Sequence, residues 1–253
     1  MPRFIDLSAP IVTTPPDLPP FQRVTITFSN HEAGAREFEQ LFGIDRSLLR
    51  NGEGPAGEII TFMGTHSTTH IDAPWHYNSV IAGQPAPTID QLPLEWFFGP
   101  GVKLDFRHKE DGDAITVEEI EAALARIGHS LSPGEIVLVE TGRDAFYGQP
   151  DYWLRGPGVT PEATRWLYER GIRVMGIDAW GWDRPLHLQA REALEKQQPG
   201  ILWAAHQVDL PYAQIERLCN LAALPPRGFT VACFPLRIVG GSAAPARVVA
   251  IVE

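Results

Sequence analysis

Cysteine is scarce in this chain: only Cys219 and Cys233 occur. Two thiols so far apart supply neither a disulfide framework nor a C-x-x-C redox or zinc pair, so both are expected as small buried side chains. Positive charge is also in short supply, with 21 Lys and Arg against 31 Asp and Glu, a formal charge of −10 and no basic block. Long-range attraction to phosphate backbones or anionic lipid is therefore absent, which argues against nucleic acid and membrane partners. No segment approaches the ~20 apolar residues of a membrane span. The opening MPRFIDLSAPI lacks the basic region and sustained apolar stretch of a signal peptide, so a cytoplasmic protein is expected. Missing too are G-x-S-x-G, H-E-x-x-H, the P-loop and G-x-G-x-x-G, which leaves serine-nucleophile, zincin and nucleotide chemistries without support.

What remains is an ordinary globular composition, 253 residues at 44% hydrophobic, with no repeat and no composition shift to mark a linker; one domain over 1–253 is expected. Residues 4–8, 24–28 and 58–63 are short runs rich in Ile, Val, Thr and Phe. They are separated by TTPPDLPP and NGEGPAG, so they read as strands of a β-rich first quarter. The middle alternates: GVKLDF strand, TVEEIEAALARIG helix, EIVLVET strand, TPEATRWLYERG helix, IRVMGID strand. Thr116 with Glu119 forms a capping box, Thr160 before Pro161 supplies an N-cap, and Gly128 and Gly171 stop the two helices. YAQIERLCNL reads as a short helix or helical turn from the spacing of Ile215, Leu218 and Leu221, and GFTVACF and ARVVAIVE as strands. The fold class is α+β, a mixed α/β single domain with a β-α-β-α-β middle.

The chemistry concentrates in HSTTHIDAPWH, His66 to His76, which holds three of the eight histidines and Asp72. On a helix Asp72 would point well away from His66 and His70. On a strand all four ligand-type residues share a face, but His66 and His70 would stand roughly 13 Å apart, too far for one ion. Both constraints are met if the chain enters as a strand and bends between His66 and His70, with Thr68 in the bend and Pro74 keeping the exit irregular. Imidazole nitrogen and carboxylate oxygen suit zinc, manganese or iron, so a divalent metal site is expected. His76 stands beside it as a ligand or as an imidazole that moves protons.

This stretch resembles the signature of the metal-dependent hydrolase family called cyclase, H-x-G-T-H-x-D-x-P-x-H, which includes bacterial arylformamidases, isatin hydrolases and a trans-dienelactone hydrolase. Every fixed position matches except that Thr68 replaces glycine. Glycine there supplies a positive φ or a close backbone approach that a β-branched residue does not readily allow, so Thr68 is expected to alter the bend. FIDLSAPI, TIDQLPLEWFFGPGVKLDF, GIDAWGWDRP and FPLRIVGGSAAPARVVAIVE resemble the order of segments in the same family. The resemblance implies the family's swivelling β/β/α fold. It implies His66, His70 and Asp72 as ligands, His76 as the proton-transfer residue, and His206 and Glu216 in AHQVDLPYAQIERL as a second ligand pair. It also implies one or two Zn²⁺ or Mn²⁺ ions, a small-molecule substrate, and a homodimer or homotetramer.

Asp178 closes the strand IRVMGID, and sites in alternating α/β segments sit at the C-terminal ends of strands, so Asp178 and Trp180 are candidate pocket residues along with Trp75. Trp180 and Trp182 equally suit a core or an interface. A divalent cation polarises a carbonyl and lowers the pKa of a bound water from 15.7 to about 7, which implies hydrolysis of an amide, lactam or lactone, with His76 carrying the proton to the leaving atom. One rival is an Fe(II) facial-triad oxygenase, with His70, Asp72 and His206 as triad and Arg217 for a cosubstrate carboxylate. It leaves His66 and His76 without roles and requires a double-stranded β-helix that the alternation after residue 100 does not match. A non-catalytic metal-binding module is the other, invited by Thr68 alone.

Overall fold

A computed structural model describes residues 1–16, 18 and 22–253. The proline-rich separator at 13–20 thus lies partly outside the described residues. The chain divides into two compact units, one of Met1–Pro10 with Thr68–Glu253 and one of Ile11–Ser67.

The strands used below are β1 (Arg3–Asp6), β2 (Val24–Ser29), β3 (Gly57–Met63), β4 (His70–Asp72), β5 (Phe98–Asp105), β6 (Ile136–Glu140), β7 (Val174–Ile177), β8 (Ala213–Glu216), β9 (Phe229–Ala232), β10 (Ala243–Pro245) and β11 (Val249–Val252). The helices are α1 (His31–Phe42), α2 (Pro74–Tyr77), α3 (Val117–Arg126), α4 (Pro161–Glu169) and α5 (Leu186–Lys196).

The larger unit is built on one nine-stranded sheet in the order β1-β11-β9-β5-β6-β7-β8-β4-β10. Strands β5, β6, β7 and β8 run parallel, and the rest pair antiparallel. The alternation of the middle segment is therefore real: α3 lies between β5 and β6 in the chain, and α4 between β6 and β7. Each helix starts where its cap residue dictates. Thr116 accepts from Glu119 N–H while Glu119 reaches back to Thr116 N–H at 3.0 Å, and Thr160 accepts from Ala163 N–H at 3.1 Å ahead of Pro161. Just past their ends Gly128 and Gly171 take φ of 60° and 86°, the left-handed turn that glycine adopts without strain.

Strand β6 is buried at all five positions, as expected of a parallel strand covered on both faces. Val137 and Val139 pack with Ile120, Leu124 and Leu167 under α3 and α4, while Leu138 packs on the reverse face with Val174, Ile215 and Ile71.

Residues 212–221 correct the helix expectation: Ala213–Glu216 form strand β8, and a helical turn appears only at Leu221–Ala223. All four residues of β8 are buried between β7 and β4, so Ile215 is the apolar side chain of a covered strand, while Leu218 lies beyond it in a bridge to Ser8. Pro74 likewise does not leave an irregular exit: it occupies the first turn of the short helix α2, where its missing N–H is not needed. Among the described residues no helix is long and apolar enough to cross a membrane.

In the smaller unit β2 and β3 form an antiparallel hairpin, as the strand reading of 24–28 and 58–63 anticipated. Helix α1 between them was not anticipated. It is framed by Asn30, which accepts from Ala33 N–H, and by Gly43 at φ 64°. Within it, Gly34 lets Pro55 approach so closely that a Cβ would fall 1.9 Å from the Pro55 carbonyl oxygen. Helix propensity alone makes Gly34→Ala stabilising by roughly 1 kcal/mol. The packing reverses that sign, and urea unfolding is expected to show a loss of about 1–3 kcal/mol, the usual range for overpacking.

Candidate metal centre

The pairing of β4 with β8 places the ligand-type side chains. In this antiparallel register Glu216 stands opposite His70 and Gln214 opposite Asp72. Side chains alternate across a strand, so His70, Asp72 and Glu216 share one face, and Ile71 opposite Ile215 faces the core on the other. His70 and Asp72 are fully buried, and His206 and Glu216 are 4% and 6% exposed. His70 Nε2 lies 3.1 Å from Asp72 Oδ1 and 3.6 Å from Glu216 Oε2. His206 Nε2 lies 3.3 Å from Glu216 Oε1 and 3.9 Å from Asp72 Oδ2. Four ligands about 2.1 Å from one cation would stand roughly 3.4 Å apart at tetrahedral angles. The donor set therefore fits a divalent ion in both chemistry and spacing.

Both imidazoles are aimed by their other nitrogen. His70 Nδ1 lies 2.6 Å from the Thr68 carbonyl, to which it donates, so Nε2 turns to the carboxylates. His206 Nδ1 donates to Asp183 Oδ2 at 2.5 Å. Asp183 is itself fixed by the backbone N–H groups of Ala205 and His206 and by Gln189 Nε2, each at 3.0 Å. Burial opposes the charge of both partners in this pair. The contacts win, holding Asp183 below its ordinary value and pushing His206 up to about 10. Glu216 Oε1 takes the Trp182 N–H at 3.0 Å, which leaves Oε2 on the His70 side.

The remaining sequence candidates fall as follows. His66 belongs to the smaller unit, one residue before its end at Ser67. His76 lies on α2, its ring centre 4.9 Å from Trp203 and 6.0 Å from His206, with a ring nitrogen within 4.8 Å of an Asp72 oxygen. Trp75 is 44% exposed, Trp180 is half-buried, and Trp182 is a core residue whose indole N–H donates to Thr164 Oγ1. Asp178 is buried, and its carboxylate accepts from Thr141 N–H, Thr141 Oγ1 and Gly142 N–H. It thereby ties the end of β7 to the turn after β6; burial outweighs these donors and raises its pKa to about 7.

Thr68 corrects an expectation. It does not adopt a positive φ, and its contribution to the site is its backbone carbonyl, which any residue supplies. Asp183, in the segment GIDAWGWDRP, is not among the sequence candidates, because a carboxylate that orients a histidine 23 residues away is recognisable only once the chain has folded. Reasoning from sequence also missed Thr69 as a brace: its hydroxyl accepts from Ala9 N–H and donates to the Arg217 carbonyl, tying the start of β4 to both segments.

An α+β sheet with crossover helices and a buried two-histidine, two-carboxylate cluster defines a metal-site protein of the hydrolase type. The Cyclase family model matches residues 5–184, and the chain belongs to that family. It is 28% identical over 205 residues to the isatin hydrolase of Roseibium aggregatum, covering 75% of this chain and 73% of that one. It is 29% identical over 191 residues to the kynurenine formamidase of Salinibacter ruber, covering 74% and 76%. Among solved structures, isatin hydrolase A from Labrenzia aggregata, bound to benzyl benzoate, superposes with a TM-score of 0.75 at 26% identity over 99% of this chain and 94% of that chain.

Loss of the carboxylate behind a ligating histidine generally lowers metal affinity 10–100-fold. Asp183→Asn is therefore expected to release Zn²⁺ or Mn²⁺ to a competing chelator at 10–100-fold lower chelator strength, and an unchanged titration would show that His206 does not ligate.

Proposed function

We propose that this chain is a metal-dependent hydrolase that cleaves the C–N or C–O bond of an amide, lactam or lactone in a small cyclic or aromatic carbonyl compound. The observation that carries this reading is the convergence of His70, Asp72, His206 and Glu216 on one buried point with His76 beside it. Relatives named isatin hydrolase and kynurenine formamidase support it.

His70, Asp72, His206 and Glu216 would hold a divalent cation, Zn²⁺ or Mn²⁺, and the family pattern adds His66 and the option of a second ion. When bound, such an ion polarises a carbonyl and brings the pKa of a water down toward 7. Asp72 and Glu216 supply the two negative charges that balance it, while Asp183 keeps His206 turned to the site. His76 carries a proton from the attacking water to the leaving nitrogen or oxygen through a ring nitrogen, and the edge of Trp203 fixes the angle of its ring. Trp75, Trp180 and, behind its three hydrogen bonds, Asp178 shape the surroundings of the substrate.

The oxygenase reading is set aside by the fold, since four parallel strands with crossover helices are not a double-stranded β-helix. Glu216 also adds a buried donor beyond the triad. We read residues 1–253 as one functional domain in the cytoplasm, where the free thiols of Cys219 and Cys233 are at home.

The expected result is hydrolysis of at least one member of a panel of N-formyl aromatic amines, isatin-like lactams, cyclic imides and unsaturated lactones, abolished by chelation and restored by Zn²⁺ or Mn²⁺. His76→Ala should retain its metal and lose about 10²–10⁴ in kcat. Turnover that survives complete demetallation would overturn the reading, as would a panel with no substrate.

A homodimer or homotetramer is part of the same proposal. Phe28, Ile59, Ile60 and Phe62 of the β2–β3 hairpin are 69%, 66%, 48% and 47% exposed, and both faces of this two-stranded sheet carry them. A bare hairpin is marginal in water, and clustered exposed apolar side chains mark an association surface. Light scattering at micromolar concentration should give a multiple of the 28.0 kDa chain; a monomer would refute the assembly.

A further inference from the structure

We infer that Arg217 is a substrate-recognition residue whose guanidinium holds a carboxylate carried by the substrate beside its scissile carbonyl, so that the enzyme selects anionic over neutral carbonyl compounds. This rests on the hydrolase reading of the adjoining site.

Arg217 follows Glu216 at the end of β8 and is only 3% exposed. Among the described residues no carboxylate oxygen lies within 4.0 Å of its guanidinium. Its one hydrogen bond there is a long one, from Nε to the Trp180 carbonyl at 3.5 Å, and its two Nη atoms make none. The chain's buried lysine behaves differently: Lys103 has Glu140 at 2.7 Å. A buried cation with no anion in contact is unfavourable unless a ligand supplies one.

The backbone shows that the placement is enforced. In an extended strand Arg217 would face away from Glu216, since neighbours alternate. Instead Arg217 takes φ of 58°, a left-handed conformation that is strained for any residue with a Cβ. Its N–H donates to the Ala179 carbonyl and its carbonyl accepts from Thr69 Oγ1, so the turn is held from both sides. Strain maintained by surrounding contacts next to a candidate active site points to a function for the side chain it aims.

That side chain is aimed at a wall able to bind a flat anion. The guanidinium carbon lies 5.2 Å from the centre of the Trp180 ring, and Glu216, Asp72, Tyr147 and Tyr152 are within electrostatic reach. The Tyr147 hydroxyl sits 3.4 Å from Thr68 Oγ1. A guanidinium presents two parallel N–H groups that match the two oxygens of a carboxylate, and an indole face suits the planar body attached to it. Charge balance for Asp72 and Glu216 alone does not account for the arrangement, because a guanidinium serving that purpose would contact one of them.

The test uses the metal-loaded protein and two isosteric probes, benzoate and benzamide, titrated calorimetrically. Any pull of the cation on benzoate is common to wild type and variant, so the difference belongs to Arg217. Arg217→Met is expected to weaken benzoate 10-fold or more, the range of a charge-assisted contact, and to change benzamide less than twofold at unaltered metal content. With a carboxylate-bearing substrate KM should rise at least 10-fold while kcat stays within threefold. Equal loss of both probes, no loss of either, or a fall in kcat at unchanged KM would overturn the assignment. Should Arg217→Met not fold, Arg217→Lys decides the matter. Loss of the two-pronged geometry should weaken benzoate several-fold and leave benzamide alone, and benzoate bound equally by both proteins would refute the role. The titration needs no turnover, so a chain that binds benzoate through Arg217 and hydrolyses nothing fails the hydrolase reading only.

Discussion

The register of β4 against β8 is the constraint on which the site depends. Two strands that meet at the far side of the sheet bring His70, Asp72 and Glu216 to one face because His70 pairs with Glu216 and Asp72 with Gln214. A slip of one residue would send Glu216 to the other face and expose the cluster's charges to the apolar side. What prevents the slip is the reverse face: Ile71 and Ile215, both fully buried, pack with Leu138, Val174 and Ile136 in a core that accepts no polar residue. The apolar side of these strands thus sets the geometry on the polar side.

That geometry stores charge. Asp72 and Glu216 are buried within a few ångströms of each other, and His206 answers by holding its proton up to about 10 under the pull of Asp183 and Glu216. A protonated His206 and a cation in this cluster would be alternatives for the same negative charge, so a cation held through Nε2 would displace that proton. Asp183 sits on the other nitrogen of His206 and therefore serves both states, as partner to the proton-rich imidazole and as aim for the ligating one. The buried Tyr77 packs edge-on against His206 at 5.3 Å and stacks on Tyr212 at 5.1 Å.

How far the site was legible in advance follows from how local each part is. HSTTHIDAPWH declares itself because four ligand-type residues within eleven positions have no ordinary structural reason to cluster, and the strand-helix alternation from residue 101 onward carried its caps in plain view. His206 and Glu216 were reachable only through the family pattern, and Glu216 was read onto a helix. A strand buried on both faces shows the same apolar spacing as a helical stripe over so few residues. Helices α1 and α5 and the orienting Asp183 were not foreseen. The first sits between the strands read at 24–28 and 58–63 in a quarter taken as β-rich, and the last acts across 23 residues of chain that only the fold brings together.

The departure from the family glycine at Thr68 separates what a metal site requires from what a pocket can vary. The ligand geometry needs from this position only a carbonyl oxygen 2.6 Å from His70 Nδ1, and a threonine backbone supplies it without a positive φ. The side chain points elsewhere: its hydroxyl lies 3.4 Å from the Ala9 carbonyl and 3.4 Å from the Tyr147 hydroxyl. Tyr147 is a neighbour of Arg217, whose own backbone is held by the hydroxyl of Thr69. Two successive threonines therefore look in different directions, one bracing the strand that carries the ligands and the other facing the tyrosine beside the buried arginine. The carbonyl that aims His70 is thus independent of the side chain at position 68, whose hydroxyl is engaged by Ala9 and Tyr147.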